Sequence, residues 1–222
     1  MSILRAFAIS SAALAVAGCG SVPETSREAR APVSAPRPFA VTQESRMCLA
    51  GLGETGSRFS PLPDRYYGGG CNTVNTVQLS AVQGDRSQFG VSNIGPVTCG
   101  TAQTFAAWAR FGVDRAARQI LGSPLARIET MGSYSCRNVA GTGRRSAHSR
   151  AAAIDVSAFV LEDGRRITVS ADWSGGSDSE RRFLRIVHRS ACKRFGTVLG
   201  PNYNADHHDH FHLEQGDGSF CR

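Results

Sequence analysis

Two stretches of the chain carry apolar residues at helical spacing, and several shorter ones read as strands. In TAQTFAAWARFGV, residues 101–113, a Thr stands at the start and Phe105, Trp108 and Ala109 share one face, which predicts a helix. The pattern over SDSERRFLRIVHRSACKRFG is stronger. Ser177 and Glu180 have capping-box spacing, Phe183, Val187, Ala191 and Phe195 recur every four residues, and Gly196 offers a stop. His188 lies beside that stripe and reads as a packing residue rather than a ligand. Strand-like runs are short: 125–131, 153–161, 166–169, 197–199 and 210–213. Asp163-Gly164 joins two of them as a hairpin turn. Strands joined locally, with two helices between the groups, predict an α+β domain: a small antiparallel sheet flanked by helices.

The N-terminal pattern differs. Arg5 precedes a nearly continuous apolar run over residues 6–17, too short to span a bilayer, so residues 1–18 read as a secretory signal. The run ends in VAGC, the pattern at which bacterial lipoproteins are cut and the new N-terminal Cys19 is lipidated; an ordinary cleavage site beside a chance Cys is the alternative. Gly20, rather than Asp, points to the outer membrane. Residues 19–40 are rich in Pro, Ser and Ala and cannot build a core, which makes them a tether, and residues 41–222 form the folded domain.

Export changes how the cysteines read. Of seven, Cys19 is set aside, and Cys48, Cys71, Cys99, Cys136, Cys192 and Cys221 remain. An even number in an exported domain implies disulfides, and the chain has no C-x-x-C pair for a cysteine metal site. Pairing in chain order is expected: Cys48–Cys71, Cys99–Cys136 and Cys192–Cys221. The net charge of +7 is spread along the chain without aromatic interleaving, which argues against a nucleic-acid surface. A solvated surface with weak attraction to anionic cell-wall polymer is the simpler reading.

The chemistry concentrates at the C-terminus. Four of the six histidines fall within residues 207–212. On a strand, His210 and His212 share a face, about 7 Å apart. His148 precedes Asp155 by seven positions, and Asp155 lies near the start of an apolar strand. Two His and one carboxylate make a three-ligand zinc site whose open fourth position holds water.

The chain order, a His loop, an Asp strand, a helix and then an H-x-H strand, resembles the zinc peptidases of bacterial cell walls. That superfamily comprises the D-alanyl-D-alanine metallopeptidases, the lysostaphin-type endopeptidases and the hedgehog signalling domain. Its pattern S-x-H-x(6)-D is matched by Ser146, His148 and Asp155, followed by Asp209, His210 and His212. GSYSCRN, AIDVSAF, DGRRITV, TVLGPNYNADHHDHFHLE and the terminal CR resemble, more narrowly, the extensin-like C-terminal family, over about residues 47–222. The resemblance implies His148, Asp155 and His212 as zinc ligands, Asp209 as general base and His210 as the group that orients water or stabilises an oxyanion. A regular strand would turn Asp209 away from His210 and His212; without a bend there, His210 is the better catalytic candidate. Arg137 resembles the Arg that stabilises a carbonyl oxygen in related peptidases, and equally fits a surface Arg beside a disulfide. His207 and His208 read as residues of the rim. The chain departs from the pattern at Ala147 and Ala151, where relatives carry Glu and Gly.

The implied function is a periplasmic zinc peptidase, lipid-anchored to the outer membrane, that cuts peptidoglycan stem peptides or cross-links. The alternatives are a non-catalytic module on the same fold that binds cell wall or protein, and a structural lipoprotein whose histidines scavenge metal.

Overall fold

The computed structural model describes residues 42–222. The expected signal segment 1–18, the expected lipidation site Cys19, the expected tether 19–40 and residue 41 lie outside the described residues. Among those described, no helix is long and apolar enough to cross a membrane.

Helix α1 (Gln43–Glu54) is followed by six short strands: β1 (Arg58–Pro61), β2 (Arg65–Gly68), β3 (Cys71–Thr73), β4 (Thr76–Gln83), β5 (Gln88–Ser92) and β6 (Pro96–Thr98). Helix α2 (Cys99–Trp108) starts ahead of the expected position because Thr98, not Thr101, is the cap: its side chain accepts from the Thr101 amide. The helical path continues through two π-helical stretches, Ala109–Asp114 and Ala117–Leu121, and ends where Gly122 turns left-handed. Then come β7 (Leu125–Gly132), β8 (Ala153–Leu161), β9 (Arg166–Thr168), α3 (Val169–Asp172), α4 (Asp178–Ala191), β10 (Thr197–Leu199), β11 (Phe211–Glu214) and β12 (Phe220–Cys221). The expected capping box at Ser177 and Glu180 is formed. The Asp163-Gly164 turn joins β8 to β9 as an antiparallel pair, with φ +89° at Gly164.

The sheet is neither small nor purely antiparallel. Ten strands form one sheet, ordered β1-β4-β5-β7-β8-β11-β10-β12, with β6 paired to β4 and β9 to β8; β2 and β3 form a separate ribbon. β5 and β7 are parallel, as are β10 and β12. A helical crossover between β5 and β7 returns the chain in the same direction, which makes parallel pairing possible there.

The core lies between the sheet and the helices. Trp108 is fully buried, donates Nε1–H to the Val187 carbonyl of α4 at 3.0 Å, and packs against Phe105, Phe159 and Phe195. The whole predicted stripe of Phe183, Val187, Ala191 and Phe195 is buried. β8 sends Ile154 and Val156 into this core and, past a register shift at Ser157, Phe159 and Leu161. Asp155 therefore projects from the opposite face. β11 does likewise, burying Phe211 and Leu213 in the core and leaving His212 and Glu214 on the other face.

Three disulfides form, but only one pair follows chain order. Cys192–Cys221 is present as expected, whereas Cys48 pairs with Cys99 and Cys71 with Cys136. The expected Cys48–Cys71 and Cys99–Cys136 pairs are not formed. α1 packs on the start of α2, which brings the Cys48 and Cys99 Cα atoms to 6.1 Å, and β3 lies beside the loop that carries Cys136.

Candidate metal centre

The centre is built where β8 and β11 pair. Antiparallel register sets His212 directly opposite Asp155 on the face away from the helices, and their side chains meet with Nδ1 2.9 Å from Oδ1. His148 comes from the short 3₁₀ turn Ala147–Arg150, whose cap Ser146 accepts the His148 amide. The turn closes at Ala151 with φ +54°, a left-handed conformation in which an L-residue costs roughly 1–2 kcal/mol. The turn brings His148 Nε2 to 3.2 Å from Asp155 Oδ2 and 3.1 Å from His212 Nδ1.

The outer nitrogens decide what the inner ones present. His148 Nδ1 stands 2.9 Å from the Ser133 carbonyl, which can only accept, so it carries the proton and Nε2 offers a lone pair. His212 Nε2 lies 3.4 Å from Glu214 Oε2, and donation there leaves Nδ1 with a lone pair. Three electron-pair donors thus converge and require a cation between them. Burial disfavours ionised Asp155, but the two histidines outweigh it and hold its carboxyl well below the usual range. Burial likewise opposes charge on His212, yet Asp155 and Glu214 raise it to about 9. Without a metal, a proton fills this role.

A zinc ion fits the donor set. Ligand atoms about 2.0–2.1 Å from one tetrahedral ion stand roughly 3.3 Å from each other. The two histidine nitrogens stand 3.1 Å apart, close to that spacing, and each meets one oxygen of the Asp155 carboxylate, His212 at Oδ1 at 2.9 Å and His148 at Oδ2 at 3.2 Å. The second cluster of metal-type donors, His188 with Cys192 and Cys221, is closed by the disulfide between its cysteines. His188 packs against Trp173 and Phe211, as its place beside the helix stripe predicted.

His210 lies just ahead of β11, with Nε2 3.6 Å from Asp155 Oδ1. Its Nδ1 donates to Asp209 Oδ1 at 2.8 Å. Asp209 thus backs His210, and that contact holds its carboxyl below the usual range. His207 packs its ring 5.2 Å from that of His210 and 5.8 Å from that of His212. Burial, then the neighbouring His210 and His212, push it down to about 4, so it is neutral at pH 7. His208 is exposed, its ring bonded to the Ala205 carbonyl.

Of the three candidate ligands, His212 alone lines a cleft of about 290 Å3, together with Glu214, His207, Arg137, Arg144 and Tyr203, among others. A larger open groove of about 780 Å3 beside the Cys48–Cys99 disulfide contains none of these residues. Sequence reasoning missed Glu214 and Ser133. Glu214 was visible in principle, since it stands two positions after His212 and shares its strand face.

The family model described as extensin-like protein C-terminus matches residues 46–222, and the chain belongs to that family. No curated protein and no solved structure gives a match.

Proposed function

We propose that this domain is a zinc-dependent peptidase of the bacterial periplasm that cuts peptide stems or cross-links of peptidoglycan, held to the outer membrane by a lipid on Cys19. The observation that carries the reading is the convergence of the His148, Asp155 and His212 lone pairs beside a second, carboxylate-backed histidine, with His212 also lining a cleft. The spacing shared with the cell-wall metallopeptidases supports the substrate class.

In this reading His148, Asp155 and His212 hold the zinc ion. The chemistry such an ion supplies is acidification of water and polarisation of a carbonyl. His210 accepts and returns a proton at Nε2. Asp209 fixes the His210 tautomer by accepting from Nδ1, which assigns it a positioning role rather than that of the base. Arg137, on the cleft wall, steadies the substrate's carbonyl oxygen. The second reading is a wall-binding module without turnover. It draws on Ala147 and on Ala151, which is strained at the turn that presents His148.

Purified protein is incubated with peptidoglycan, with and without chelator, and the products are read by mass spectrometry, alongside zinc content. Chelator-sensitive cleavage is expected, as is loss of stoichiometric zinc in His148→Ala and His212→Ala but not in His188→Ala. Full zinc occupancy with no cleaved peptide removes the enzyme reading and leaves the binding module. Equal zinc in all three variants removes the ligand assignment.

A further inference from the structure

Between Cys136 and His148 the chain folds back on itself at the rim of the cleft. Asn138 and Arg145 pair across this ribbon, and backbone bonds run from Val139 N to the Arg144 carbonyl and from Ser146 N to the Arg137 carbonyl. Side chains alternate along such a ribbon, so Arg137, Val139, Arg144 and Ser146 share one side. All four line the cleft. Arg145 faces the other way, giving Nε–H to the Gly69 carbonyl at 2.6 Å and Nη1–H to Asn138 Oδ1 at 3.1 Å. Together with the Cys71–Cys136 disulfide at the base, these bonds brace the ribbon against β3 and the turn before it.

The ribbon therefore presents two guanidinium groups to the cleft. Among the described residues, neither the Arg137 nor the Arg144 side chain forms a hydrogen bond or ion pair with a protein group. Glu214 lines the same cleft, and the charge of Arg144 adds to the effect of His212 in holding its carboxyl low, but Glu214 Oε2 is occupied by His212. The remaining lining includes Leu199, Tyr203 and Phe220, the two rings meeting edge-on at 5.8 Å.

Two unpaired arginines on a braced ribbon, beside an apolar wall, suit a short peptide that bears a carboxylate, since the guanidinium fork matches carboxylate geometry. We infer that Arg144, next to the carbonyl-steadying Arg137, forms a carboxylate subsite, and that the protein selects peptides with a free carboxylate next to the bond held at the metal centre. The inference rests on the peptidase reading for the kind of peptide. It adds Arg144 as a residue that determines specificity.

Binding is measured on chelated protein, so that turnover plays no part. The probes are two matched pairs: N-acetyl-D-alanyl-D-alanine and its C-terminal amide, and a γ-linked D-glutamyl dipeptide with its α-carboxylate free or amidated. The wild type is expected to bind at least one acid about tenfold more tightly than its amide, and the pair that shows the preference identifies the source of the carboxylate. Arg144→Gln is expected to lose the preference. Arg166→Gln, which removes an equal charge from the Glu129 pair, is expected to keep it. Equal binding of acid and amide in both pairs, no binding of any probe, or a preference that survives Arg144→Gln overturns the inference. Cleavage of muropeptides without acid preference leaves the peptidase reading standing alone, and acid preference without cleavage leaves the subsite standing alone.

Discussion

Glu214 stands 3.4 Å from the outer nitrogen of His212, two positions along the same face of β11. Its carboxylate orients the ring and keeps the Nδ1 lone pair toward Asp155 and His148. Glu214→Gln keeps the shape but loses the charge. Zinc affinity is expected to fall about 10–100-fold, the usual effect of removing such a partner, while the fold persists. Competition with a chromophoric chelator measures this; unchanged affinity would show that Glu214 does not support the ligand.

Asp209 and His210 act in series, so their variants should differ in degree. His210→Gln removes the proton-carrying nitrogen and is expected to lower turnover by roughly 10²–10⁴ with zinc retained. Asp209→Asn leaves the histidine in place and should cost less, while shifting the acid limb of the pH–rate profile. If Asp209→Asn proves the more damaging and His210→Gln is mild, the two roles are reversed.

The disulfide pattern can be read directly from non-reduced proteolytic fragments. Linked peptides should join Cys48 to Cys99, Cys71 to Cys136 and Cys192 to Cys221. Loss of either long-range bridge, closing 51 or 65 residues, should cost about 2–5 kcal/mol in chemical denaturation. The Cys71→Ser, Cys136→Ser double variant should also blunt the preference for acid over amide, because that bridge anchors the Arg137–Arg144 ribbon. Linked peptides in chain order would contradict the fold.

His188 provides a test of pH dependence away from the metal centre. Burial lowers its pKa from 6.5; the Arg222 carbonyl pulls upward and the charges of Arg185 and Arg189 push downward. The unfolded chain thus takes up a proton near pH 6.5 that the folded one resists. The contribution of neutral His188 is present above pH 6.5 and is lost as pH falls through that value toward the folded pKa. His188→Asn should be less stable than wild type at pH 8, and the deficit should shrink toward pH 5. A deficit that is constant or grows on acidification would refute this assignment.

The sequence alone carried the elements with strong local signals. The Ser177–Glu180 box, the Asp163-Gly164 hairpin, β8 and β10 all depend on neighbours within a few positions, and all formed as read; the stripe of Phe183, Val187 and Ala191 lies on α4, but the helix ends at Ala191, short of the expected stop at Gly196, and Phe195 joins the core from the turn beyond it. The strands between Arg58 and Thr98 lack such signals, being short and broken by polar residues and turns, so no element was assigned there. The residues proposed as ligands were also legible, because the chemistry of His and Asp at fixed spacing limits what they can do. Tertiary structure decided the rest. Which cysteines pair depends on helix and strand docking rather than chain order. The size and mixed direction of the sheet depend on the crossover through α2. The turn of Asp209 onto His210, rather than into the centre, depends on the chain reaching β11 only at Phe211. The partnership of Glu214 with His212, and the two arginines on one side of a ribbon, exist only once β8, β11 and the Cys71–Cys136 bridge bring distant residues to one cleft. These contacts span tens of residues, and no local pattern encodes such distances.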